Sequence, residues 1–470
     1  MVAIMSISPP IEIVDILKNG GQLFLIKGEA GTGKTTLAME IIRIVEEMGG
    51  RSFYLSTRIP AEKVFTQFPW LKDLDIESRI MDARKTLLPK VDKFYIEFLN
   101  SHDFLKVIYS KVAQEVKKPL VVVIDSIDAL KADLDIPPEN FTIEKMMIEI
   151  AERTRTNMIF ISEGTKETKL DYIADNIIVL RKKYINGRTI RFLELEKMRK
   201  MEIKRPIIVF SIKDSRFVHF SSKILEYPTK PLNIDLSAKI DAYIPTSIEE
   251  LDKILGGGFE KGSVNIIEVG RGVGRDYRWI SAPPVLNLLL RKRPAFFIPS
   301  EGHPPATVRK WFEPIVGEEL YKKYIHVFQF SSIKNNPDKN VHTISWADSV
   351  TDYKVIRETT LKILDETGAE EFFFYVGADT LEHLYGEKDF RRIIGRLAKD
   401  AKDTNGVFLI IVKTGQKILD GLDHLASTYF KMENFAGITL FYGLLPTTGI
   451  YSLIIDETKD KITPKLIPLE

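Results

Sequence analysis

Nine residues near the N-terminus, Gly28-Glu29-Ala30-Gly31-Thr32-Gly33-Lys34-Thr35-Thr36, constrain this chain more than any other stretch. They carry the spacing G-x-x-x-x-G-K-S/T of a phosphate-binding loop. Leu23-Phe24-Leu25-Ile26 ahead of them reads as a buried strand, and Leu37, Ala38, Ile41, Ile42 and Val45 behind them recur at helical spacing. A strand, a glycine-rich turn and a helix start aim backbone N–H groups and the positive end of a helix dipole at an anion. Gly31 and Gly33 let the backbone wrap phosphate, Lys34 reaches the β- and γ-phosphates, and the Thr35 hydroxyl can ligate Mg²⁺. A glycine-rich turn with no ligand is the competing reading, and the strand and helix around it argue against that.

Composition narrows the rest. The 470 residues suggest roughly two to four domains, each able to bury its own core. A formal net charge of +2 gives no bulk argument for nucleic acid. The absence of cysteine removes disulfides and thiolate metal sites and fits a reducing cytoplasm. The seven histidines are scattered with no His-x-x-x-His pair, so zinc is not expected. Met1 to Pro10 lacks the basic start and apolar core of a signal peptide, and no apolar run reaches membrane-spanning length. A soluble, cytoplasmic protein without a membrane is therefore expected. Abundant Lys, Glu and Ile lean toward a heat-loving source.

The alternation of strand and helix continues past the loop. Arg51 to Thr57 reads as a strand, and a mixed-charge helical stretch punctuated by Pro69, Pro89 and Pro119 runs from Ala61 to Lys118. Leu120-Val121-Val122-Val123-Ile124-Asp125-Ser126 then places a carboxylate at the tip of a buried strand, the Walker B arrangement, with Asp125 as the Mg²⁺ partner of Thr35. A helix N-cap is the plainer role for Asp125, and the loop upstream favours the metal role. Asn157–Glu163 and Asp175–Leu180 supply further strands, so the pattern is that of a parallel, doubly wound sheet.

A second copy starts near Ile244, after the linker-like Tyr227 to Leu232. Aligning Gly21 with Gly262 sets a constant offset of 241 residues, which puts Gly272, Gly274 and Arg275 opposite Gly31, Gly33 and Lys34. The same offset puts Val269 opposite Gly28 and Asp276 opposite Thr35. Asp379 to Leu384 similarly matches Asp125 to Leu130, so the chain reads as a duplicated α/β unit. The second loop is decayed as a phosphate cradle: Val269 crowds the turn, Asp276 puts a negative charge where a hydroxyl should meet Mg²⁺, and Arg275 can pair with phosphate but cannot reproduce the lysine's geometry. Gly270 to Gly274 also invites a dinucleotide reading, but its third glycine comes one residue early, and the repeat already accounts for it.

These motifs resemble the KaiC-like branch of the RecA superfamily, and the two-copy layout looks most like archaeal proteins of KaiC/GvpD type. The resemblance rests on the P-loop, on Asp125-Ser126 and on the strand Asp175 to Leu180. It extends to the Lys-x-Arg element at Lys197 and Arg199, to Ile244-Pro245-Thr246-Ser247, and to Gly256-Gly257-Gly258. Ser56 to Pro60 with Phe68-Pro69-Trp70 looks more like the GvpD type. It implies two tandem RecA-like P-loop NTPase domains, 1–232 and 233–470, each a mostly parallel sheet flanked by helices. It implies ATP and Mg²⁺ as cofactors, with Lys34 and Asp125 catalytic and Lys197 and Arg199 reaching a nucleotide held by a neighbouring copy, hence a homo-oligomer. Solvated basic residues on a strand edge are the bland alternative for that pair.

The sequence departs from the family where a carboxylate pair usually follows the second strand: Thr57 and Arg58 stand there. Without a positioned base, hydrolysis loses typically 10²–10⁴-fold. Ser300-Glu301-Gly302 retains a glutamate beside the defective loop. The expected function is a slow Mg·ATP-dependent regulatory switch acting through a protein partner. The main competitor is a repair or recombination ATPase binding single-stranded DNA. The clusters Arg181-Lys182-Lys183, Arg291-Lys292-Arg293 and Arg391-Arg392 read as solvated surface, and Phe296, Phe297 and Phe372 to Phe374 as core. A KaiC-type autokinase would need two competent loops.

Overall fold

The computed structural model describes residues 2–83, 100–223, 225–331, 338–345, 347–416 and 424–469. The chain separates into two compact units, essentially Met5–Phe220 and Ser221–Pro468.

In the first unit, β1 (Leu23–Gly28), β2 (Arg51–Ser56), β3 (Ile80–Asp82), β4 (Leu120–Asp125), β5 (Thr156–Glu163) and β6 (Asn176–Ile185) run parallel, in the spatial order β3-β2-β4-β5-β1-β6. Three antiparallel strands, β7 (Arg188–Met198), β8 (Ile207–Lys213) and β9 (Arg216–Lys223), extend the sheet beyond β6. The parallel strands are near-continuous apolar runs because helices cover both faces. Phe24, Ile26, Val121, Val123 and Ile159 pack on one side with Leu37, Ile41 and Val45 of helix α1 (Lys34–Glu47). Leu23, Leu25, Val122, Ile124 and Phe160 form the core on the other. The helical stretch expected from Ala61 to Lys118 is interrupted: helices occupy Ala61–Gln67 and Ser101–Ala113, and the short β3 lies between. Residues 84–99, with Pro89, fall outside the described residues.

The second unit repeats this wiring. Its strands are β10 (Val264–Val269), β11 (Ala295–Ile298), β12 (Ile325–Phe330), β13 (Val341–Ile344), β14 (Phe373–Gly377), β15 (Val407–Lys413), β16 (Thr428–Phe435), β17 (Ile438–Leu445), β18 (Ile450–Glu457) and β19 (Ile462–Pro468). Their spatial order is β13-β12-β11-β14-β15-β10-β16-β17-β18-β19, with the last three pairings antiparallel. The fold is α/β, two tandem RecA-like units. β10 has the bounds of β1 under the offset of 241 residues, from Leu23 to Val264 and from Gly28 to Val269. The later match slips. Asp125 is level with Ile161, and Ile161 with Ile26, whereas the residue level with Ile411 and Ile267 is Gly377. Asp379 therefore lies beyond the strand tip, inside the following helix, Ala378–Asp403. The segment Tyr227 to Leu232 is packed rather than free: Tyr227 lies against the unit's core and Leu232 is buried, bridging to Ile462.

One charged pair is buried at the foot of the phosphate loop. Lys27, the penultimate residue of β1, donates to Asp171 Oδ1 at 2.5 Å, and both side chains are nearly inaccessible. Asp171 also accepts from the backbone and hydroxyl of Thr168 in a capping box on the helix Lys169–Ile173. Burial would raise the Asp171 carboxyl, but the bonds from Lys27 and Thr168 outweigh it and hold the group below its usual range. Its stabilising contribution is therefore present above the unfolded value near 3.9 and is lost as pH falls through the lower folded value. Asp171→Asn should strand the Lys27 ammonium and cost about 3–5 kcal/mol, measured by urea unfolding at neutral pH. The loss should shrink as the pH of the comparison is lowered through the unfolded value and toward the lower one of the native carboxylate.

Candidate functional site

β1 delivers the backbone to Gly28 at the carboxyl edge of the sheet, with β5 on one side and β6 on the other. This is the crevice where open α/β sheets hold ligands. Gly28 is dictated by space and Gly33 by its left-handed backbone angle. A Cβ on Gly28 (φ +157°) would lie 2.7 Å from both the Leu180 carbonyl and Thr32 Oγ1. A Cβ on Gly33 (φ +104°) would lie 2.7 Å from Ile212 Cδ1. Glu29, Ala30 and Gly31 form an exposed lip, Thr32 is buried with its hydroxyl on the Glu29 carbonyl, and Thr36 is buried in the first turn of α1. Lys34 folds back over the loop, donating to Gly28 O at 2.7 Å and Glu29 O at 2.9 Å. Lys182, expected as solvated surface, also reaches the loop, at 3.3 Å from Ala30 O.

Thr35 and Asp125 are brought together as expected. Thr35 Oγ1 donates to Asp125 Oδ2 at 2.7 Å, and the Tyr54 hydroxyl donates to the same oxygen at 2.7 Å. Burial, and then the Asp125 charge, push the Tyr54 phenol far up, so it stays a donor. A hydroxyl and a carboxylate form a hard-oxygen set that suits Mg²⁺, which takes one or two protein groups and fills the rest of its shell with phosphate and water. No cluster of three or more His, Cys, Asp or Glu residues exists among the described residues, and such a site needs none.

Sequence reasoning missed Glu163. It ends β5, next to the loop strand, and Gly28 and Gly164 exchange backbone hydrogen bonds at 3.1 Å. Glu163 Oε2 lies 3.5 Å from Lys34 Nζ, and its Oε1 accepts from Arg58 Nη1 at 2.9 Å. The available signal was position: a glutamate at the carboxyl end of an apolar run opens onto the same edge as the P-loop. Thr57 has a structural job. Its hydroxyl donates to the Asp125 carbonyl at 2.9 Å and accepts from Ser126 N–H at 2.7 Å, bracing the strand tip.

Lys197 and Arg199 lie elsewhere. Lys197 pairs with Ile177, which is level with Leu25, so it sits below the loop toward the amino end of β1. Its ammonium donates to the carbonyls of Asp171, Tyr172 and Ala174, closing the end of the Lys169–Ile173 helix. Arg199 is largely exposed and pairs with Asp175 at 2.9 Å. Neither touches the phosphate loop of its own unit.

In the second unit the equivalent loop is built differently. Val269 and Val273 are buried in the core, and Arg275 turns away to pair with Glu226. Asp276 is buried and accepts from Thr439 Oγ1 at 2.5 Å, and burial raises its carboxyl. Helix α2 (Arg278–Leu290) starts three residues later than the offset from Lys34 requires. The remaining basic clusters are committed: Arg291 to the Leu236 and Ala238 carbonyls, Arg293 to Glu371, Arg391 to Glu387 and Arg392 to Asp389. Phe296, Phe297 and Phe372 to Phe374 are buried as expected.

Comparison with known proteins agrees with this geometry. Residues 16–196 match the family described as "GvpD gas vesicle protein, P-loop domain". Protein GvpD2 of Halobacterium salinarum is 23% identical, with 93% of this chain and 91% of that protein covered. Protein GvpD1 of the same organism is also 23% identical, with 95% and 94% covered. The first unit is a GvpD-type P-loop domain, in a chain similar to GvpD proteins over nearly its whole length.

Proposed function

We propose that the first unit binds Mg·ATP, hydrolyses it slowly, and uses the nucleotide state to regulate a protein partner. The observation that carries this is the meeting of Lys34, Thr35 and Asp125 at one glycine-shaped cradle, with the Thr35 hydroxyl 2.7 Å from Asp125. The matching family's description points to gas vesicles as the system in which that partner is sought. The Mg²⁺ ion would neutralise charge on the phosphates and on the leaving oxygen. Loop N–H groups and Lys34 hold the phosphates, and Thr35 and Asp125 hold the metal. Nucleotide should bind the first unit alone. Lys34→Ala should abolish ATP binding by calorimetry, and Arg275→Ala should leave one site per chain. Two sites in the unmutated chain would contradict this reading.

Glu163 takes the place of the family's missing base. Its carboxylate stands beside Lys34, the residue that meets the terminal phosphate, and Oε2 accepts the proton of the attacking water. Arg58 holds the other oxygen and restrains it, which fits slow turnover. Glu163→Gln should lower kcat by about 10²–10⁴-fold with ATP affinity kept. Unchanged turnover would exclude Glu163 as the base. The same assay with and without single-stranded DNA tests the recombinase alternative.

Arg199 is the member of its pair that could serve a neighbouring copy, since its guanidinium is largely exposed and held by an ion pair to Asp175. A cation supplied in this way is worth about 10³–10⁵ in rate. Arg199→Ala should lose hydrolysis, and mixing it with Lys34→Ala should restore part of it. Hetero-oligomers that stay inactive would place Arg199 outside the chemistry.

A further inference from the structure

Three charged groups form a chain beside the phosphate loop. Lys34 Nζ lies 3.5 Å from Glu163 Oε2, and Glu163 Oε1 accepts from Arg58 Nη1 at 2.9 Å. One carboxylate therefore serves two cations. Lys34 is nearly buried and belongs to the loop itself, whereas the Arg58 side chain is 49% exposed and comes from the turn after β2.

The backbone on either side of Arg58 is pinned. The Thr57 N–H and hydroxyl both donate to the Asp125 carbonyl, each at 2.9 Å. Ser56 Oγ donates to the Ile59 carbonyl at 2.6 Å and accepts from the Ile59 N–H at 3.3 Å. The turn is thus tied to Asp125, the residue that meets Thr35, and it presents Arg58 at the carboxyl edge of the sheet on a long, half-exposed side chain. The arginine's hold on Glu163 is weak, because solvent screens a pair this exposed and Lys34 competes for the same carboxylate. A guanidinium fork binds phosphate more strongly, through paired charge-assisted hydrogen bonds. The lysine of such a loop reaches the γ-phosphate, and a single carboxylate separates that lysine from the Arg58 guanidinium.

We infer that Arg58 reads the third phosphate of the nucleotide: its guanidinium exchanges Glu163 for the γ-phosphate of ATP and stays on Glu163 with ADP. This role rests on the Mg·ATP reading of the loop and adds the residue that tells the two nucleotides apart. Arg58 stands where the KaiC-like pattern has a carboxylate pair, so a sensor occupies the usual place of a base. It acts within its own chain and needs no neighbouring copy. The exchange also moves a cation at the protein surface between the two nucleotide states, which is what a switch directed at a protein partner requires.

Calorimetry on the full chain with Mg²⁺ compares ADP with the non-hydrolysable β,γ-imido analogue of ATP, so that turnover plays no part. The analogue should bind the unmutated chain at least about tenfold more tightly than ADP. Arg58→Met should weaken the analogue by a similar factor and leave ADP within about twofold, and the retained ADP binding shows that the loop is folded. Arg58→Lys, which keeps the charge and loses the fork, should fall between the two. On the unmutated chain the analogue should protect Arg58 from phenylglyoxal, read by mass spectrometry, and ADP should not. No preference for the analogue in the unmutated chain, equal losses of both nucleotides in Arg58→Met, unchanged affinity for both, or equal labelling with either would overturn the inference and leave the Mg·ATP reading in place. A chain that binds neither nucleotide would overturn both.

Discussion

One carboxylate oxygen, Oδ2 of Asp125, ties the first unit's chemistry to its fold. It accepts from Thr35 on the helix after the phosphate loop and from Tyr54 on the neighbouring strand. The hydroxyl of Thr57 braces the backbone on either side of the same strand tip. Below this knot the Lys27–Asp171 pair pins the loop strand to a short helix. A buried pair of this kind adds little net stability over an apolar one, but breaking it is costly. It therefore fixes where the loop strand ends rather than how strongly the sheet holds together.

The two units separate fold from chemistry. Their parallel strands follow the same order because long apolar runs and right-handed crossovers specify little else. The loop, by contrast, depends on a handful of residues. In one unit glycines leave a cradle and the helix begins at its lysine. In the other, Val269 stands in place of the first glycine and the helix starts late, with Pro283 and Pro284 inside its buried length. Proline is poorly tolerated within a helix, and here apolar burial on every side of the helix outweighs it.

Much of this was legible in the sequence. Apolar runs at strand length located β1, β2, β4 and β5 to within a residue or two, and the glycine-lysine pattern between strand and helix, with an apolar run ending in Asp125, was enough to place the loop and that carboxylate at one sheet edge. The failures share a cause: they depend on which strands become neighbours. Glu163 is an ordinary glutamate until β5 pairs with β1. Lys182 belongs to a basic run until β6 carries it over the loop lip. Lys27 interrupts an apolar strand, and its partner lies far along the chain. The slip between Asp379 and Gly377 arose because similar residues were aligned without the sheet register that fixes which residue ends a strand.

Asp276 shows how a lost site becomes locked. At the position where the first unit has the Thr35 hydroxyl, this carboxylate is a buried strut, bonded to Thr439 on β17. Restoring a threonine there would not restore a phosphate cradle. It would remove the strut while Val269 still stood in place of the first glycine and the helix still began at Arg278. Asp276 and Val273 are each packed among their own neighbours, so changing either alone would disturb that packing without supplying the glycine and the earlier helix start that shape the first unit's loop.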